Sequence, residues 1–131
     1  MRYEEKDNLE VIRKTQGDIP NLPFSSVKNS ILGKKYNLSL SFIKKDEMKD
    51  LSKKHKGSYN HMNTLAFELD EDSGEIVMNL QTIRIEAKKH DRTYLPNLLF
   101  MFIHSCLHLK DYKHGDEMEK LEDKYFNKFN I

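Results

Sequence analysis

Fifteen residues, Leu95 to Leu109, constrain the rest of this 131-residue chain. The run is apolar on nearly every side of a helix and is interrupted only by Pro96, Asn97, His104, Ser105 and His108. It is too short for a bilayer, which takes about 20 apolar residues. A helix that is apolar all round has no face to offer to solvent, so other elements must sheathe it. A chain of this length supplies one such sheath, so one domain spanning 1–131 is expected, burying roughly two thirds of its unfolded surface. Cys106 is the sole cysteine, so no internal disulfide can form, and a reducing, cytoplasmic setting is expected. No apolar leader segment follows Met1–Lys6, and no membrane association is expected.

The sheath can be read from periodicity. Tyr36, Leu38, Leu40 and Phe42 alternate with Asn37, Ser39 and Ser41, the period-two pattern of a half-buried strand. Residues 8–16 (Leu9, Val11, Ile12), Thr64–Leu69 and Glu75–Leu80 also read as strands, the last two joined at the turn Asp70–Gly74. Phe24–Leu32 reads as a helix stopped by Gly33, and Asp46–His55, Thr82–Lys89 and Glu117–Phe129 as further helices. Gly17–Pro23 holds two of the three prolines and reads as a connection. The expected fold is a small α/β (α+β) domain: a mixed sheet of about four strands, helices on its faces, and the apolar helix at its centre.

That central helix carries the chemistry. His104 and His108 are four residues apart and share one face, one turn apart. His114 follows six residues later, with Asp111 between them, a residue that tolerates the left-handed backbone of a helix stop. This spacing arises by chance in about one sequence in a hundred of such histidine content. Three imidazoles leave a fourth zinc position for water, the catalytic rather than the structural pattern. One divalent ion per chain, zinc, is expected on these three ligands. Cys106 lies two residues from each helical histidine, about 200° round the helix, and is expected to be buried away from the metal. The spacing is shared with metzincin peptidases, but those place glutamate directly after the first histidine as general base, where this chain has Ser105.

Residues 104–114, His-Ser-Cys-Leu-His-Leu-Lys-Asp-Tyr-Lys-His, resemble the signature His-Gly-x-Leu-His-Leu-x-Gly-Tyr-Asp-His of the YbeY endoribonucleases, or rRNA maturation factors. All three histidines, both leucines and the tyrosine match; both glycines and the aspartate do not. Gly74–Val77, Glu86-Ala87, Asn63–Phe67 and the acidic Glu117–Glu122 resemble further pieces of that family in the same order, across roughly residues 36–130. The resemblance implies a metal-dependent, single-strand-specific endoribonuclease of ribosomal RNA maturation and ribosome quality control, acting on small-subunit RNA and contacting the small ribosomal subunit. It implies metal ligation by His104, His108 and His114. It also places the family's functional arginine at Lys56, which keeps the charge but loses the planar fork that grips phosphate bidentately.

The residues up to 60 carry a net +5 and the remainder −4; on charge alone the favoured reading is a lysine-rich chain that solubilises itself, with a basic half facing a polyanion as the alternative. Lys56 is expected to balance phosphate charge in the transition state. Lys53 and Lys54, with Lys44, Lys45 and Lys49, are expected to follow the RNA backbone; Tyr59 or Tyr112 is a candidate to stack a base, with a tyrosine at the edge of the core as the favoured reading of each. Glu117 and Glu119 are candidate partners of the metal-bound histidines by proximity. The competing expectations are a ribosome assembly factor whose metal only stabilises the fold and a metallohydrolase of another substrate such as peptide. The sequence leaves the oligomeric state open.

Overall fold

The computed structural model describes residues 2–54, 59–61 (backbone only) and 64–130. Strands β1 (Arg2–Lys6) and β2 (Leu9–Arg13) precede helix α1 (Phe24–Leu32), strand β3 (Asn37–Phe42) and helix α2 (Lys45–Lys54). Then come β4 (Tyr59–His61), β5 (Thr64–Asp70), β6 (Ser73–Met78), and helices α3 (Leu80–Lys89), α4 (Tyr94–Leu109) and α5 (Asp116–Phe129). The strands form one mixed sheet in the order β1-β2-β3-β6-β5-β4. The three central strands, β2, β3 and β6, run parallel, and the outer pairings are antiparallel.

The sheet therefore has six strands where periodicity suggests about four. β1 is exposed along its whole length, so it has no apolar alternation to betray it. It is held by its ladder to β2 through the two-residue turn Asp7-Asn8, both at positive φ (52° and 62°), the hairpin geometry that matches strand twist. β4 is a three-residue edge strand, too short to show a period. β6 ends at Met78 and α3 begins at Leu80 because Asn79 caps the helix, its Oδ1 accepting the Thr82 N–H at 2.8 Å.

The two faces of the sheet bury unequal cores. On one face Leu9, Val11, Leu38, Leu40, Phe42, Ile76 and Met78 pack under α1, α3 and α4. On the other, Leu65, Phe67 and Val77 pack under Met48 of α2. Helix α4 is sheathed as its composition requires: Leu98, Leu99, Phe102, Ile103, Cys106 and Leu107 are at most 2% exposed. Each such side chain contributes roughly 1.5–3 kcal/mol of burial. None of the described helices is long and apolar enough to cross a membrane. Among the six strands and five helices, α4 alone carries two of the candidate ligands, and its packing fixes where they point.

Candidate metal centre

His104 and His108 stand on the face of α4 turned toward α5, and the chain end of α4 returns His114 to them. That return is built by a helix stop. Asp111 adopts φ 72°, its N–H donating to the His108 carbonyl at 3.0 Å, while the Tyr112 N–H donates to the Leu107 carbonyl at 3.1 Å. This pair of bonds is the Schellman closure, with aspartate in the left-handed position usually given to glycine. One ring nitrogen from each of the three histidines falls within 4.8 Å of the other two. The ring centroids are 4.5 Å (His104–His108), 4.7 Å (His108–His114) and 5.1 Å (His104–His114) apart.

The hydrogen bonds behind the rings assign their tautomers. His108 Nδ1 lies 3.0 Å from the Tyr112 carbonyl oxygen, which only accepts, so Nδ1 carries the proton. His104 Nδ1 lies 2.7 Å from Glu122 Oε2 on α5, a carboxylate that accepts in the same way. Both Nε2 atoms are then lone-pair donors, and they face each other at 3.0 Å. Two lone pairs at that distance repel unless a proton or a cation lies between them. Burial works against carrying that proton on His108: it is the main cause that pushes this ring down to about 4, with the neighbouring histidines adding to it and the Tyr112 carbonyl and Glu122 opposing. A third imidazole converging on the same point fits a cation. Zinc held at 2.0–2.1 Å by tetrahedral nitrogens sets those nitrogens about 3.3 Å apart, against 3.0 Å for the His104–His108 pair and at most 4.8 Å for the pairs with His114. The three-histidine donor set therefore fits a divalent ion, with His114 on its exposed side.

Several expectations find their places. Cys106 is buried in the main core, where burial pushes its thiol up and keeps it from acting as a thiolate ligand. Ser105, at a glycine position of the signature, donates its hydroxyl to the Met101 carbonyl at 2.9 Å and so costs the helix no unsatisfied group. Tyr112 is half-buried, packed against the main core with part of its surface still exposed. Lys53 and Lys54 are exposed on the last turn of α2, the helix on the opposite face of the sheet from α4. The structure does not bring them among the histidines. Lys56 and the Tyr59 side chain lie outside the described residues.

The partner of His104 is Glu122, not Glu117 or Glu119, both of which are exposed. A signal for it existed. Met118, Glu122, Tyr125 and Phe129 are spaced four, three and four apart, which puts Glu122 inside the apolar stripe of α5. A carboxylate in that stripe needs a partner, and His104 is it. A second feature missed from periodicity is Phe100, whose ring stacks on His104 at 6.4 Å and 27° and meets Phe126 edge-on.

The chain matches the family model described as Endoribonuclease YbeY over residues 4–130. An Endoribonuclease YbeY of Thermosipho melanesiensis is 29% identical over 111 residues, 79% of this chain and 80% of that protein. The protein of the same name from Clostridioides difficile is 26% identical over 144 residues, 98% of this chain and 94% of that protein. The solution structure of TM1509 from Thermotoga maritima superposes with a TM-score of 0.64 over 91% of this chain and 87% of its own; at 24% identity it speaks to the fold. A match running from Glu4 to Asn130 takes in every element that builds the histidine cluster, and the chain belongs to the YbeY endoribonuclease family.

Proposed function

We propose that the chain is a zinc-dependent, single-strand-specific endoribonuclease of ribosomal RNA maturation, acting on small-subunit RNA in the cytoplasm and contacting the small ribosomal subunit. The observation that carries the reading is the facing pair of Nε2 atoms, 3.0 Å apart with both Nδ1 atoms committed elsewhere, in a chain of this family.

His104, His108 and His114 are the proposed ligands, within one catalytic unit spanning 1–131. Zinc so held supplies Lewis acidity toward a phosphoryl oxygen and a bound water with a pKa near 7. Glu122 and the Tyr112 carbonyl hold the two helical imidazoles in the tautomer that ligation requires. Lys56 is the proposed cation for charge developing on the phosphate, and Lys53 and Lys54 are proposed contacts to the strand on its approach.

The test is cleavage of an unstructured RNA by the purified protein. Cutting that stops on chelation, returns with zinc, and is absent from His108→Ala at every zinc level supports the reading. A protein that binds one zinc and is stabilised by it, yet leaves RNA whole, is instead an assembly factor with a structural metal. Cleavage of casein but not RNA would make it a peptidase.

A further inference from the structure

The carboxyl ends of the three parallel strands form a second feature, remote from the histidines. β2 ends at Arg13 and its chain leaves for α1, on the main-core face. β3, its neighbour, ends at Phe42 and leaves for α2, on the opposite face. β6 ends at Met78 and leaves for α3, back on the main-core face. Neighbouring parallel strands whose chains depart to opposite faces leave a crevice beyond their carboxyl ends, the place where open α/β sheets bind ligands.

Here that crevice has a volume of about 640 Å³. Arg13, Lys44, Lys45 and Arg84 line it, opposed by one carboxylate, Asp46. Lys44, Lys45 and Arg84 are exposed. The Arg84 guanidinium lies 4.0 Å above the ring of Tyr94, which also lines the crevice. That cation–π contact ties the guanidinium to the ring on the wall of the crevice. The amino ends of α2 and α3 open on the same space, adding partial positive charge to that of the side chains.

Tyr94 is also the first residue of α4, ten residues before His104, or about 15 Å along the helix axis. From the N-cap Thr93 through Asn97 to Phe100, these residues line a largely apolar groove of about 370 Å³ on the helix face that ends at His104. The crevice, the groove and the metal centre thus lie along one helix.

We propose that this crevice is a backbone subsite of the enzyme, holding phosphates of the single-stranded RNA about four or five stacked nucleotides (3.4 Å each) from the bond cut at the histidines. The inference rests on the endoribonuclease reading. It adds a second contact whose effect depends on strand length: a strand too short to span the 15 Å reaches only one of the two places.

The test uses the full chain and a variant carrying Lys44→Gln, Lys45→Gln and Arg84→Gln, checked for folding by circular dichroism. Binding is read on an RNA oligonucleotide of about 15 nucleotides across a salt series, with His108→Ala present in both proteins so that the strand is not cut. Three lost phosphate contacts lower the slope of log K against log salt by about 2, at roughly 0.7 per phosphate on single strands. Asp46→Asn is expected to move binding the other way. On cleavable RNA, wild-type kcat/KM rises as the strand lengthens past about five nucleotides, and the triple variant shows no such rise. An unchanged salt slope in the triple variant overturns the crevice subsite and leaves the endoribonuclease reading standing. Length-dependent binding with the predicted slope change but no cutting by wild type supports the subsite and sinks the catalytic reading. A wild type that neither binds nor cuts single-stranded RNA overturns both.

Discussion

Glu122 Oε2 lies 2.7 Å from His104 Nδ1, joining α5 to α4 through a contact in which both side chains are largely buried. The carboxylate fixes the ring's tautomer and raises the basicity of the nitrogen that faces His108. Glu122→Gln keeps the shape and a carbonyl acceptor but removes the charge. Its zinc affinity is expected to fall about 10- to 100-fold, read by competition with a chromogenic chelator, while far-ultraviolet circular dichroism stays unchanged. An affinity equal to wild type would mean that the carboxylate only packs α5 against α4.

Removing the metal exposes a pH dependence whose sign follows from His108. Burial pushes this imidazole down to about 4, from 6.5 in the unfolded chain. Between those values the unfolded chain binds the proton and the folded chain does not. The stability linked to His108 is therefore fully present above about pH 6.5 and is lost as pH falls toward about 4. Urea midpoints of chelator-treated protein are expected to drop across that window, and His108→Gln is expected to flatten the part due to this ring. Equal pH profiles for wild type and His108→Gln would assign the drop to the carboxylates that titrate in the same range.

Asp111 occupies a position where the family signature has glycine, and its φ of 72° shows why glycine suits it. Its carboxylate also crowds Glu68, whose carboxyl is held above its usual range chiefly by hydrogen bonding to Asp111. Asp111→Gly relieves both the left-handed backbone and the like charge. It is expected to stabilise the protein by about 0.5–1 kcal/mol in urea denaturation, with zinc binding intact. A loss of stability would show that the aspartate side chain contributes more to the helix stop than its backbone strain costs.

The legibility of this chain divides along physical lines. Residues 95–109 announce a buried helix because an all-round apolar face has one solution, and His104, His108 and His114 announce a cluster able to hold a metal because ring positions on a helix follow from spacing. Leu38, Leu40 and Phe42 announce their strand because one face is buried and the other less so. β1 escapes because every residue in it is exposed, so its pairing rests on backbone hydrogen bonds and the turn at Asp7-Asn8. Glu122 escapes because a partner on another helix is a tertiary fact, and only its place in the apolar stripe of α5 hints at it. The crevice escapes for the same reason: Arg13, Lys44 and Arg84 come together through the order of the strands, and distance along the chain does not encode that order.

Gly74 gives a final prediction, because its lack of a side chain is matched to one atom. A Cβ there would lie 2.5 Å from the Tyr36 hydroxyl oxygen and 3.1 and 3.2 Å from the two methyls of Leu109. Gly74 pairs with Leu38 on one side and Glu68 on the other, so its backbone cannot move aside without disturbing two ladders. Gly74→Ala is expected to cost about 1–3 kcal/mol by overpacking. The Tyr36 hydroxyl is buried, makes no hydrogen bond among the described residues, and has its pKa pushed up to about 12, mainly by burial. Tyr36→Phe thus forfeits no bond to a described residue, and it is expected to be neutral or mildly stabilising. It also removes the atom nearest the new Cβ. In a double-mutant cycle by urea denaturation, Gly74→Ala should cost about 1 kcal/mol less in the Tyr36→Phe background than in wild type. Strictly additive costs would place the strain on Leu109 instead, at the end of the helix that carries the histidines.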